Sequence, residues 1–220
     1  MKNILINIQG TNQNSLSIPL EELSHTIIFG DTNSGKSNLL HMLITNLIKT
    51  YSQDDIKLAL IDPKHIEFNS YKSLPHLFDS LARTPEDVNT LLDNCLAQAG
   101  TSNTPIIILI DELAELTFNN DAMLKINSIL NNDLNSNIYL IMATQRPILI
   151  PDEIITKTKT QICFPLSQKK LPKNFPTEFT IEKNTNIGEM IFINGTKKEY
   201  MQTAYITQSV INDTVNNCKC

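Results

Sequence analysis

The chain has 220 residues, 41% of them hydrophobic, and carries a formal net charge of −5. That length supports one substantial core, and the acidic balance excludes a protein that coats nucleic acid by bulk charge, because counterion release needs clustered Lys and Arg. No apolar run approaches the roughly 18 residues that a membrane span requires, and the start Met1-Lys2-Asn3-Ile4 lacks a secretory apolar stretch, so the expectation is a soluble, cytoplasmic chain with no membrane segment of its own. Cys95, Cys163, Cys218 and Cys220 form no zinc pattern and read as reduced thiols.

Ile4–Ile8 and Ser15–Ile18 flank a polar turn around Gly10-Thr11-Asn12 and read as a hairpin. The apolar run Thr26–Phe29 then stops at Gly30-Asp31-Thr32-Asn33-Ser34-Gly35-Lys36-Ser37, and apolar residues recur at 39, 40, 43, 44, 47 and 48, the spacing of one buried helix face. Lys57–Asp62 is a short β-rich run ending in an acid. Thr84-Pro85-Glu86-Asp87 supplies an N-cap, a proline at the first helical position and acids in the first turn, with Gly100 as the stop. Ile106–Ile110 is an unbroken apolar strand ending at Asp111-Glu112, as suits a strand covered on both faces. A helix from Asp121 to about Asn132, strands at Ile138–Thr144, Ile162–Pro165 and Glu189–Ile193, and a last strand Glu199–Ile206 follow, the last two joined by the hairpin signal Asn194-Gly195.

Strands alternating with helices predict an α/β fold: a RecA-like P-loop NTPase core with a mainly parallel central sheet, helices on both faces, an N-terminal β-hairpin and C-terminal antiparallel edge strands. Residues 1–207 are expected to form the motor domain and 208–220 a polar tail.

Gly30-x-x-x-x-Gly35-Lys36-Ser37 matches the P-loop pattern in full, between an apolar strand and an amphipathic helix. The glycines let backbone N–H groups wind round phosphates, Lys36 reaches the β- and γ-phosphates, and Ser37 ligates Mg2+. The nucleotide-binding stretch is therefore Gly30, Asp31, Thr32, Asn33, Ser34, Gly35, Lys36, Ser37 and Asn38, with ATP and Mg2+ as cofactors. Asp111 is expected on the metal and Glu112 as the general base for the attacking water. Gln145, at the end of the next strand, is placed to meet the γ-phosphate or that water; a turn or cap is its alternative role.

The strings GDTNSGKSNLL (30–40), LIDPKHIEFNSY (60–71), LPHL (74–77), ILIDELAEL (108–116), LIMATQRP (140–147) and GEMIFI (188–193) together resemble the FtsK/SpoIIIE family of DNA translocases within the FtsK/HerA group. The resemblance covers nearly the whole chain, but only the motor: the membrane helices and winged-helix domain of chromosomal translocases have no counterpart here. It implies a ring, commonly a hexamer, with ATP between subunits, double-stranded DNA through the centre, and an arginine acting from the neighbouring subunit on the transferring phosphate. The chain has only two arginines, Arg83 and Arg146. Arg83, after LPHL and before a capped helix, is the first candidate for that finger, and Arg146 is expected to be structural or sensing. Lys64 and Glu67 face either the active site, the subunit boundary or solvent.

The basic stretch Lys157, Lys159, Lys169, Lys170 and Lys173 suggests that Lys169, Lys170 and Lys173 touch the DNA backbone, since a ring repeats each charge. No recognition helix or stacking platform is evident, so little sequence specificity is expected. DNA packaging, conjugation or segregation partners fit equally well. A protein-secretion ATPase of the same core and a nucleotide-binding assembly scaffold are the competing functions.

Overall fold

The computed structural model describes residues 4–11, 15–23, 25–131, 137–167 and 186–218. In chain order the elements are β1 (Leu5–Gln9), β2 (Ser15–Pro19), α1 (Leu20–Leu23), β3 (Thr26–Phe29), α2 (Lys36–Thr50), β4 (Lys57–Ile61), α3 (Pro85–Gln98), β5 (Ile106–Ile110), α4 (Leu113–Leu116), α5 (Asn120–Asn131), β6 (Ile138–Thr144), α6 (Asp152–Lys157), β7 (Thr160–Cys163), β8 (Glu189–Asn194), β9 (Lys197–Gln202) and α7 (Gln208–Asn217). A 3-10 turn at Phe68–Tyr71 interrupts the long connection after β4.

Seven strands form one sheet in the order β4-β5-β6-β3-β7-β8-β9. β3 to β7 run parallel, and β8 and β9 add antiparallel to one edge. Side chains alternate faces along each strand, and this splits the core in two. Ile27, Phe29, Ile106, Ile108 and Ile110 face one cluster with residues of α3, α5 and α6. Ile28, Ile107 and Leu109 face the other, with α2, α7 and the β1–β2 hairpin. Every residue of β5 is buried, the expected result of covering both faces.

α3 begins as expected: Thr84 Oγ1 accepts from the Asp87 N–H and the Asp87 carboxylate accepts from the Thr84 N–H, a full capping box with Pro85 behind it. Gly100, just past its end, takes the left-handed conformation at φ 72.

Three boundaries differ from the sequence reading. β7 starts at Thr160, two residues early, and the chain leaves the sheet after Cys163. β9 ends at Gln202 instead of Ile206, because Ala204 N–H turns away to donate to Gln9 carbonyl in the hairpin. The stretch 208–220, expected to be a polar tail, contains the ten-residue helix α7, capped by Thr207 and burying Ile211, Thr214 and Val215 on α2. A helix so short is marginal alone. Burying Ile211 and Val215, at about 1.5–3 kcal/mol each, holds it in place. The polar residues dominating its exposed face are what made it read as tail.

Candidate active site

β6 lies between β3 and β5 in the sheet, so the C-terminal ends of three neighbouring parallel strands deliver Gly30, Glu112 and Gln145 to one edge. Ligands of open α/β sheets bind at that edge. The chain from Gly30 to Gly35 curls over it. A Cβ on Gly30 would collide with Ser34 Oγ and Phe164 Cβ, and Gly35 sits at φ 120 against Gly188, so both positions require glycine.

The Lys36 ammonium folds back onto the loop, donating to the carbonyls of Gly30 at 2.8 Å and Asp31 at 2.7 Å. Burial lowers its pKa to about 8, against the pull of the Glu112, Asp111 and Asp31 carboxylates. Ser34 Oγ is buried with no protein partner.

Glu112 is 2% exposed. Its Oε1 accepts from Thr144 Oγ1 at 2.6 Å, and its Oε2 accepts from Lys64 Nζ at 3.1 Å and from the Gln145 N–H at 3.3 Å. A carboxylate oxygen accepts two hydrogen bonds comfortably. Oε2 is therefore filled, and Oε1 keeps one acceptor position.

Gln145 reaches the loop from the other side: its Oε1 accepts from Thr32 Oγ1 at 2.6 Å, so its amide N–H groups are the end left for a phosphate oxygen. Arg146 turns away to Glu115 Oε1 at 2.5 Å, in keeping with a structural role.

Asp62 and His65 explain how Lys64 and Glu67 arrive. Asp62 is fully buried, and its two oxygens accept from the N–H groups of Ile66 and Phe68, tying the loop into a tight turn with His65 at φ 62. That turn points Lys64 at Glu112 and Glu67 at the P-loop. Glu67 lines the cleft with Ser37 and, at 3.3 Å, lies against His41 Nε2. A carboxylate only accepts, so His41 carries a proton on Nε2, and its Nδ1 lies 2.9 Å from the Tyr71 hydroxyl. The His41 hydrogen bond is the main reason that Glu67 ionises below the usual carboxylate range. Both residues of the undecided pair thus face the site. His41 and Tyr71 were not foreseen, although position 41 follows Ser37 by one helical turn and so shares its face.

Asp111 is pushed up to about 7, first by burial and then by the carboxylates of Glu67 and Asp62. That surplus of negative charge beside Ser37 fits a divalent cation. Among the described residues no cluster of three or more His, Cys, Asp or Glu could hold a metal alone.

Arg83 stands at the outer edge of the sheet. Residues 77–82 run alongside β4 on its free side, bridging Leu58 to Leu77 and Ile61 to Ala82. The Arg83 guanidinium donates to Asn69 Oδ1. Lys169, Lys170 and Lys173 lie outside the described residues, and Lys157 pairs with Glu153 along α6.

A cleft of about 460 Å³ opens over the P-loop, between Ser37 and the strands that follow β7. A larger groove of about 900 Å³ lies at the far end of α2, between Tyr51, His76 and α7. The fifteen residues of α2 set it roughly 22 Å from the P-loop. No helix among the described residues is long and apolar enough to cross a membrane.

Comparison with known proteins agrees with this geometry. The FtsK/SpoIIIE family model matches residues 4–100. The DNA translocase FtsK of Staphylococcus aureus is 26% identical over 91% of the chain, which spans 30% of that protein's length. In structure the chain resembles the cytoplasmic domain of the type VII secretion ATPase EccC of Thermomonospora curvata, with a TM-score of 0.76 at 18% identity over 94% of this chain and 26% of the other. The pCW3 conjugation coupling protein TcpA with ATPgS gives 0.72 at 17% identity over 97% of this chain and 70% of the other. With its P-loop, acidic strand end and polar strand tip assembled at one sheet edge, the chain has the fold of the P-loop ATPase motor domains and is similar to the FtsK/SpoIIIE family over residues 4–100.

Proposed function

We propose that the chain hydrolyses ATP to move double-stranded DNA, acting in the cytoplasm as a ring oligomer of hexameric type. The observation that carries this reading is the held carboxylate of Glu112, with one open acceptor position on Oε1, on the strand end beside the P-loop. A general base needs an oriented carboxylate with a free lone pair, and Glu112 has one.

In this reading Lys36 leaves the loop carbonyls for the β- and γ-phosphates, whose negative charge outbids two neutral acceptors. Ser37 and Asp111 hold Mg2+, which neutralises phosphate charge when bound. Glu112 takes the proton of the attacking water, and the Gln145 amide orients that water or the γ-phosphate. Arg83, on the outer edge of the sheet, serves the site of a neighbouring subunit. Lys169, Lys170 and Lys173 grip the DNA backbone without reading its sequence. Packaging, conjugative transfer and segregation all use such a motor.

Likeness to a secretion ATPase supports protein cargo as a second reading. Steady-state ATPase activity with and without linear double-stranded DNA separates the two. Stimulation by DNA that disappears in Glu112→Gln supports the DNA motor; hydrolysis indifferent to DNA moves the case to protein cargo, and absence of hydrolysis moves it to a nucleotide-binding scaffold.

A further inference from the structure

Tyr205 and Ile187 are 82% and 74% exposed, and both line the cleft over the P-loop together with Lys36 and Ser37. Both stand open directly beside the phosphate loop, where a bound nucleotide would cover them.

Their backbones are held firmly. The Asn38 side chain, one position beyond Ser37, donates from Nδ2 to Ala204 carbonyl at 2.9 Å and accepts at Oδ1 from the Ile206 N–H at 2.9 Å. The two neighbours of Tyr205 are thus bracketed by one side chain from the first turn of α2. On the other wall, Gly188 N–H donates to Ser34 carbonyl at 3.0 Å. Gly188 sits at φ 88, with Thr203 Oγ1 3.0 Å from where a Cβ would stand. That close packing of Gly188 on the P-loop seats Ile187 at its rim.

We infer that Tyr205 and Ile187 form the subsite for the nucleobase, the aromatic ring stacking on the base face and Ile187 covering its other side. This rests on the P-loop reading above and adds to it the part of the ligand that the P-loop does not touch. A cleft of about 460 Å³ is within the range of small-molecule sites. Fixed backbones carrying free side chains favour binding, since little ordering remains to be done when the base arrives.

The test measures equilibrium binding of ATP and of inorganic triphosphate, both with magnesium, to the full chain by calorimetry. Tyr205→Ala should weaken ATP about tenfold or more, the worth of one base–aromatic stack, and leave triphosphate unchanged. Tyr205→Phe should bind ATP as wild type does, because the ring face and not the hydroxyl makes the contact. Unchanged ATP affinity in Tyr205→Ala, or equal losses for ATP and triphosphate, would overturn the subsite while wild-type binding of both ligands leaves the P-loop reading standing. Wild-type protein that binds neither ligand overturns both. Tyr205 is exposed, so its truncation leaves the core intact, and a thermal melt superimposable on wild type verifies this.

Discussion

Lys64 Nζ lies 3.1 Å from Glu112 Oε2, joining residues 48 positions apart across the ends of two adjacent strands. Glu112 is almost wholly buried and Lys64 about a quarter exposed, so the pair is an anchor for the carboxylate more than a source of stability. Together with Thr144 Oγ1 and the Gln145 N–H it fixes which oxygen faces the loop.

From this arrangement, Glu112→Gln should bind ATP with near wild-type affinity and hydrolyse it at least 100-fold more slowly, the usual worth of a general base. Lys64→Met should lower kcat by roughly tenfold with little effect on nucleotide affinity, since misplacing a catalytic group weakens the reaction and not the binding. Steady-state kinetics paired with calorimetric binding checks both; a large loss of ATP affinity in Lys64→Met would show that the lysine contacts the nucleotide instead.

Glu67 accepts from His41 beside Ser37 while its charge bears on Asp111. Glu67→Gln keeps the shape and removes the charge, so the magnesium concentration at half-maximal activity should rise about tenfold, as for outer partners of other metal sites. A magnesium titration of ATPase rate, with ATP binding measured in parallel, reads this directly. An unchanged titration would reduce Glu67 to a scaffold for His41.

Arg83 belongs to the edge of the sheet, and a residue acting on a neighbour's phosphate leaves its own nucleotide affinity intact. Arg83→Ala should therefore bind ATP normally and lose about 10³-fold in kcat. Mixing Arg83→Ala with Lys36→Ala should restore part of the activity, because in the proposed ring a mixed assembly would contain interfaces with one intact site and one intact finger. Mixtures no more active than either variant alone would place Arg83 in its own subunit's structure.

Thr84 and Asp87 cap α3 reciprocally, and the Asp87 carboxylate also accepts from the Arg83 N–H. Thr84→Ala should destabilise the fold by about 1 kcal/mol in urea denaturation. The Thr84 and Arg83 N–H bonds hold Asp87 below the ordinary carboxylate pKa. Its contribution is thus fully present above the unfolded-state value and fades as pH falls through the folded one. Asp87→Asn, which removes the titrating group, should flatten that acid limb.

Short-range chemistry made much of this legible in the chain. The P-loop pattern, the unbroken Ile106–Ile110 run before Asp111-Glu112 and the Thr84-Pro85 helix start each depend on residues within a few positions of one another. All three appear where the pattern put them. Periodicity failed where burial was slight: α7 buries only three side chains, too few for its polar sequence to betray a helix.

The amino-acid order by itself therefore determined the strands, the phosphate loop and the acidic strand end, because backbone conformation and side-chain alternation are written locally. Only the tertiary structure decided that Lys64 meets Glu112, that Glu67 reaches Ser37, and that Tyr205 stands over the P-loop. Those meetings depend on β6 being inserted between β3 and β5, on the Asp62 turn with its left-handed His65, and on the Asn38 bracket. The Asp62 turn is itself local, but each meeting joins segments far apart in sequence, so the deciding term is the packing of distant parts of the chain, which no local pattern records.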